Sequence, residues 1–175
     1  MSGLKALCIG GANTLEADKA AALALFDPDL IIGCNHAARD EPGRVDHFCT
    51  MHPELFPKWI AARAARGAPP AGKLWHAKHR QSPVESTPIE SWGGSSGLLC
   101  VRVAFELGCT HIVLAGIPLQ KIYNHYDDHR MWMEARQYWP AWERHQPEMQ
   151  GRVKSMSGWT KNLLGGVPTK EWLNG

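Results

Sequence analysis

Short apolar runs recur along the chain, each closed by small or polar residues and followed by a stretch of helical spacing. Leu4 to Ile9 is the first run, and it ends in the turn Gly10-Gly11-Ala12-Asn13. The next segment, EADKAAALALF, has helical composition and period. PDLIIGCNHA predicts a second strand after Pro28, ending near Asn35. RVDHFCTMHP predicts a third, in which Val45, His47 and Cys49 alternate with Asp46, Phe48 and Thr50. ELFPKWIAARAARG reads as a helix with Pro57 in its first turn and Gly67 as its stop.

KLWHAKH is a fourth strand, and residues 80–94, rich in Ser, Pro and Glu, are expected to be irregular. A helix is then expected from Ser96 to Leu107, with Gly108 as its stop, and a strand from His111 to Ala115. A long loop through IPLQKIYNHYDDHR leads to a helix carrying Trp132, Trp139 and Trp142 among Arg130, Arg136 and Arg144. A short strand at Arg152 to Met156 and a helix from Thr160 complete the pattern. Strands alternating with helices predict an α/β fold: one doubly wound, mainly parallel sheet of Rossmann-like type, helices on both faces, across residues 1–175 as a single domain.

The length of 175 residues suits a single core, since such a chain buries about 70% of its unfolded surface. The net charge is only +2 and the basic residues are scattered, which argues against a dedicated duplex DNA-binding surface. Cys8, Cys34, Cys49 and Cys100 lie inside apolar segments with no CxxC pair, so they read as small buried hydrophobes. With no signal peptide and no membrane-length apolar run at hand, a cytoplasmic setting is expected. The Trp/Arg segment either covers one end of the domain or presents a homo-oligomer interface.

In parallel sheets, ligands bind outside the carboxyl ends of the strands. That rule selects Gly10, Gly11, Ala12 and Asn13, then Asn35 and His36, then His52, His76 and His79, and finally Gly116 with the loop that follows it. GGANTL lacks the third glycine of a dinucleotide fingerprint, and no Walker loop occurs anywhere. It is either a phosphate-holding turn or a tight turn in which Asn13 or Thr14 caps a helix. Ser95, Ser96 and Gly97 pose the same choice before the next helix. Two such turns in one domain favour a nucleotide or nucleotide-sugar ligand. For proton transfer the candidates are His125, His52 and Asp128; Asp127 and Asp128 would bind Mg²⁺ if a metal is used.

GGANTL, IIGCNHA, SSGLLCVRVAFELGCTHIVLAGIP and RVKSMSGWT together resemble a Rossmann-like superfamily. It holds the bacterial Cst-type sialyltransferases and the pterin pyrophosphokinase-like (MptE-like) proteins, and small phage-encoded proteins with the SMSGWT ending look similar. The resemblance implies a cytidine-nucleotide site at Gly10 to Asn13, Asn35 and Ser95 to Gly97. The group's Asp after Gly-Ile is Pro118 here, and Tyr123, Tyr126 and His125 stand near its tyrosine and histidine positions. The reading is a small glycosyltransferase-like enzyme. Its alternatives are a Mg²⁺-dependent pyrophosphokinase-like enzyme, and a non-catalytic binder of a nucleotide or a partner protein.

Overall fold

The computed structural model describes residues 3–125 and 127–175, and of 127–130 the backbone alone. Five apolar runs form the sheet's interior: β1 (Leu4–Ile9), β2 (Leu30–Cys34), β3 (His47–Thr50), β4 (Lys73–Ala77) and β6 (Cys109–Ala115). Two short strands, β5 (Thr87–Ile89) and β9 (Val153–Ser155), form its edges. The order is β5-β4-β3-β2-β1-β6-β9, and every pairing is parallel. The order reverses between β1 and β6, so a crevice opens where these two strands end.

Alternation along β1 shows the two covered faces. Ala6 and Cys8 point into a cluster with α4 (Ser96–Glu106), while Leu7 and Ile9 point to the side of α1 (Leu15–Leu23). Because α4 lies across the middle strands, eight of its eleven residues are buried, and SGLLCVRVAFE is apolar on almost every side. On the α1 side, α2 (Asn35–Asp40) and α3 (Phe56–Ala65) enclose Phe48, Phe56 and Trp59. Pro53–Leu55 is a 3-10 turn that leads into α3, and Gly67 follows that helix at φ 71°. All five cysteines are buried and free. No helix among the described residues is long and apolar enough to cross a membrane.

Three expectations are corrected. Residues 80–94 contain β5, whose parallel register sets Trp75 against Thr87 and Ala77 against Ile89. The segment after β6 is a hairpin rather than a loop: β7 (Ile122–Asn124) pairs antiparallel with β8 (Asp127–Trp132). Trp132 therefore lies on a strand, and helix resumes only with a 3-10 turn at Ala135–Tyr138 and α5 (Trp139–Arg144). Short helices α6 (Gln146–Met149), α7 (Gly158–Leu163) and α8 (Lys170–Asn174) complete the chain.

Trp132, Trp139 and Trp142 of the Trp/Arg segment pack against one end of the core. Trp142 is fully buried and its indole N–H donates to Ser95 Oγ at 3.3 Å. Trp139 stacks on Trp159 with ring centroids 4.6 Å apart and donates to the Leu119 carbonyl at 2.8 Å. Arg136 lies over the Trp139 ring at 5.3 Å.

Candidate functional site

A cleft of about 450 Å³ opens at the carboxyl edge of the sheet, across the point where the strand order reverses. Its floor is made by the turns after β1 and β6, by Cys34 at the end of β2 with Asn35 and His36 beyond it, and by Met51 and His52 after β3. Gly94, Ser95, Ser96 and Gly97 at the start of α4 form one rim. Ile122, Asn124, Met131 and Trp132 of the hairpin, with Glu134, Gln137 and Tyr138 beyond it, form the opposite wall. Of the expected nucleotide-binding residues, Gly10, Gly11, Ala12, Asn35, Ser95, Ser96, Gly97 and Gly116 all meet here; Asn13 does not line the cleft.

Asn35 is the centre of the polar floor. It takes φ 50°, a left-handed conformation that asparagine tolerates better than most residues. That backbone lets β2 pass straight into α2 and aims the amide sideways. Thr50 Oγ1 donates to Asn35 Oδ1 at 2.7 Å, and Asn35 Nδ2 donates to Ser96 Oγ at 3.2 Å. Ser96 Oγ also accepts from the Met51 amide at 3.3 Å, and Thr50 Oγ1 accepts from the His52 amide at 2.8 Å. Strand ends and a helix start are thus tied together by two hydroxyls and one amide.

The two serines divide the labour at α4. Ser95 is the N-cap; its carbonyl accepts from Leu98 and Leu99, and its Oγ accepts from Leu98 at 3.4 Å. Ser96 is the first helical residue and serves the Asn35 network instead. The amides of Ser96 and Gly97 belong to the first turn of an eleven-residue helix, where no intrahelical acceptor exists.

The glycine turns are explained largely by packing. A Cβ on Gly10 would sit 2.4 Å from Ile117 Cγ1, and one on Gly97 would sit 2.8 Å from Ile117 Cγ2. Both turns are bare because Ile117 lies between them. The first turn is also not an open cradle of amides: Gly10 donates to Ala115, Ala12 to Gly116 and Asn13 to Tyr123, at 2.8 to 3.1 Å. These three amides are thus already engaged by backbone carbonyls in the structure. Thr14 sits at the N-cap position of α1 without a side-chain cap bond.

SMSGWT buttresses the turn after β6. Buried Asp18 accepts from the Gly116 amide at 3.0 Å and from Ser157 Oγ at 2.6 Å. Thr160 Oγ1 donates to the Ile117 carbonyl at 2.6 Å and bonds to Ser155 Oγ at 2.8 Å. Pro118, where the resembling group has Asp, packs against Gly158, whose added Cβ would lie 2.3 Å from Pro118 Cβ.

The histidines separate. His52 lines the cleft, its side chain about half exposed at 51%, with Glu54 Oε1 at 3.4 Å from Nδ1. His125 does not line it: its ring lies 3.2 Å from the Gly11 carbonyl and 3.1 Å from Asp40 Oδ2, bridging the hairpin to the first turn and α2. His76 is buried within β4, bonded to Ser86. Asp127 and Asp128 lie outside the described side chains, and Tyr126 outside the described residues. Among the described residues no three His, Cys, Asp or Glu are arranged to hold a metal, and Glu134 is the one carboxylate that lines the cleft. No Lys or Arg among them lines it.

Sequence reasoning missed Thr50, whose role depends on strand pairing, and the hairpin wall, which is polar and short. It named His36 only as a strand-end residue. That ring packs edge-on to Trp59, and burial, with the Arg39 guanidinium adding to it, pushes its pKa down from 6.5 to about 4. The unfolded chain therefore takes up a proton that the folded site refuses. Stability from this group is full above pH 6.5 and falls as pH drops toward 4. Burial lowers His47, His76 and His111 in the same direction. Melting temperature should drop between pH 7 and pH 5, and drop less in His36→Gln; equal losses in both proteins would clear His36 as a source.

No known family profile matches the chain, and no curated protein sequence does. The crystal structure of the sialyltransferase CST-II, in complex with trisaccharide acceptor and CMP, superposes on 98% of this chain and 88% of its own at a TM-score of 0.62. At 13% identity, what the two share is the Rossmann-like α/β fold.

Proposed function

We propose that the cleft binds a nucleotide or nucleotide-sugar and that the protein is a small glycosyltransferase-like enzyme. The observation that carries this reading is the Thr50–Asn35–Ser96 network on the cleft floor, at the crevice where parallel sheets take their ligands. The Asn35 amide is held rigid from both sides, ready to read a base or ribose. The start of α4, with its amides at Ser96 and Gly97, is the place for a phosphate, since a helix N-terminus favours negative charge. The likeness in fold to a sialyltransferase that holds CMP supports a cytidine nucleotide as the first ligand to try.

Chemically, transfer of a sugar from such a donor breaks the bond to the phosphate and moves a proton off the acceptor hydroxyl. Stabilising the departing phosphate falls to the α4 N-terminus. Proton removal falls to His52, which lines the cleft with its ring exposed, rather than to His125, whose ring is engaged by Gly11 and Asp40. No step is routed through Mg²⁺, because the described lining offers only Glu134 as a carboxylate.

A thermal-shift screen of cytidine, uridine and adenine nucleotides and their sugar conjugates, with and without Mg²⁺, tests the reading. A ligand at 100 times its Kd should stabilise the protein by about 2.7 kcal/mol. In Asn35→Gly, where glycine keeps the left-handed backbone and loses only the amide, that shift should vanish. A cytidine or uridine nucleotide shift that survives in the variant would reject Asn35 as a contact. A shift with ATP that requires Mg²⁺ would replace sugar transfer by pyrophosphoryl transfer, and no shift at all would sink the nucleotide reading.

A further inference from the structure

A second cavity, of about 580 Å³, shares no lining residue with the cleft. It lies on the α3 side of the sheet beside the β4–β5 edge, between Ile60 and Ala64 of α3, Leu74 of β4 and Thr87 of β5. Phe48 closes it from β3, and most of its wall is apolar. Ser86 is among its lining residues, and the Ser86 hydroxyl is hydrogen-bonded to an imidazole.

Ser86 stands directly before β5, and its Oγ lies 2.9 Å from Nδ1 of His76 on the neighbouring strand. The register explains the meeting. His76 pairs with Pro88, so Ser86, two residues earlier, projects from the same face of the sheet as His76. Burial lowers the affinity of His76 for a proton, which keeps the imidazole neutral. In the tautomer with its proton on Nε2, the ring presents a bare Nδ1 to the serine. Ser86 Oγ has a second, longer acceptor in the Val84 carbonyl at 3.3 Å.

We propose that Ser86 and His76 form a nucleophilic pair that hydrolyses small esters of apolar carboxylic acids bound in this cavity. Ser86 Oγ attacks the ester carbonyl and its proton passes to His76 Nδ1. The alcohol departs with that proton and leaves the acyl group on Ser86. Water then attacks the acyl-serine, again losing its proton to His76, and the collapse releases the carboxylic acid and restores the hydroxyl. The net reaction is ester plus water to acid plus alcohol. The apolar wall accepts the acyl chain. This site stands apart from the cleft and holds whether or not the nucleotide reading does.

The test uses p-nitrophenyl butyrate for turnover and a fluorophosphonate for labelling. Wild type should release nitrophenol above the buffer rate, and Ser86→Ala should lower that release by at least about 100-fold. His76→Gln should lower it comparably. The fluorophosphonate adduct should map to Ser86 by peptide mass and be absent from Ser86→Ala, which should melt as wild type does. Hydrolysis unchanged in Ser86→Ala would overturn the proposal, as would an unlabelled Ser86 in a folded wild-type protein or no release above buffer.

Discussion

Arg63→Ala should lower the melting temperature by roughly 10 °C. Arg63 is 2% exposed, yet among the described residues its guanidinium hydrogen-bonds to no carboxylate, although the Glu41 charge acts on it. It donates instead to four carbonyls: Pro69 at 2.7 Å, Ala38 at 2.8 Å, Glu41 at 2.5 Å and Gly43 at 2.6 Å. These carbonyls belong to α2, the turn after it and the loop after α3. One cation therefore replaces the backbone pairing that three segments lack. Removing it leaves several buried acceptors without donors, and a hydrogen bond to a charged group is worth about 1.5–3 kcal/mol. A total near 4 kcal/mol is expected, on the order of the largest single-residue losses. Arg63→Lys should recover only part, since one ammonium cannot span four carbonyls in a plane. Chemical denaturation of the three proteins checks the order, and an Arg63→Ala protein within about 1 kcal/mol of wild type would contradict it.

Gly116→Ala should do comparable damage and abolish ligand binding as well. Gly116 takes φ 67°, and a Cβ there would lie 2.4 Å from the Gly10 carbonyl oxygen and 2.9 Å from Leu15 Cβ. The left-handed backbone alone costs an alanine about 1–2 kcal/mol, and the clash is with backbone, which cannot turn aside. Relief requires the turns after β1 and β6 to separate. That would pull the Gly116 amide from Asp18 and shift the floor of the cleft on both sides. The expected result is a loss of at least about 3 kcal/mol and no thermal shift with any nucleotide. A Gly116→Ala protein that binds and melts normally would show that the two turns have slack.

The sheet is legible in the sequence because both of its faces are covered. β1, β2, β3, β4 and β6 must then be apolar almost without interruption, and such runs stand out. The edges and the hairpin are not. β5 reads Thr-Pro-Ile inside a Ser/Pro-rich stretch; proline is tolerated there because the strand lies at the sheet edge. β7 and β8 carry few apolar residues, and the bridge from Ala12 to Asn124 that docks them is long-range. α2 follows β2 with no intervening loop, its start hidden in the left-handed Asn35.

The candidate site is legible to the extent that topology dictates it. Strand-end residues gather wherever a parallel sheet ends, so Asn35, Ser96 and Gly116 can be named without coordinates. What each does cannot. Gly10 and Gly97 read as paired phosphate turns, and their bareness answers instead to a shared isoleucine distant from both along the chain, joined at Gly10 by the Gly116 carbonyl. Thr50 reads as one more strand residue and proves to orient the Asn35 amide.

That isoleucine sets the gauge of the cleft. Ile117 is inserted between two segments that come from opposite halves of the chain, and its carbonyl is fixed from below by Thr160. The separation of the two rims is thus written in the volume of one side chain rather than in either rim. A family of proteins built on this plan has a simple route to ligands of different girth: trade the spacer, and leave the sheet as it is.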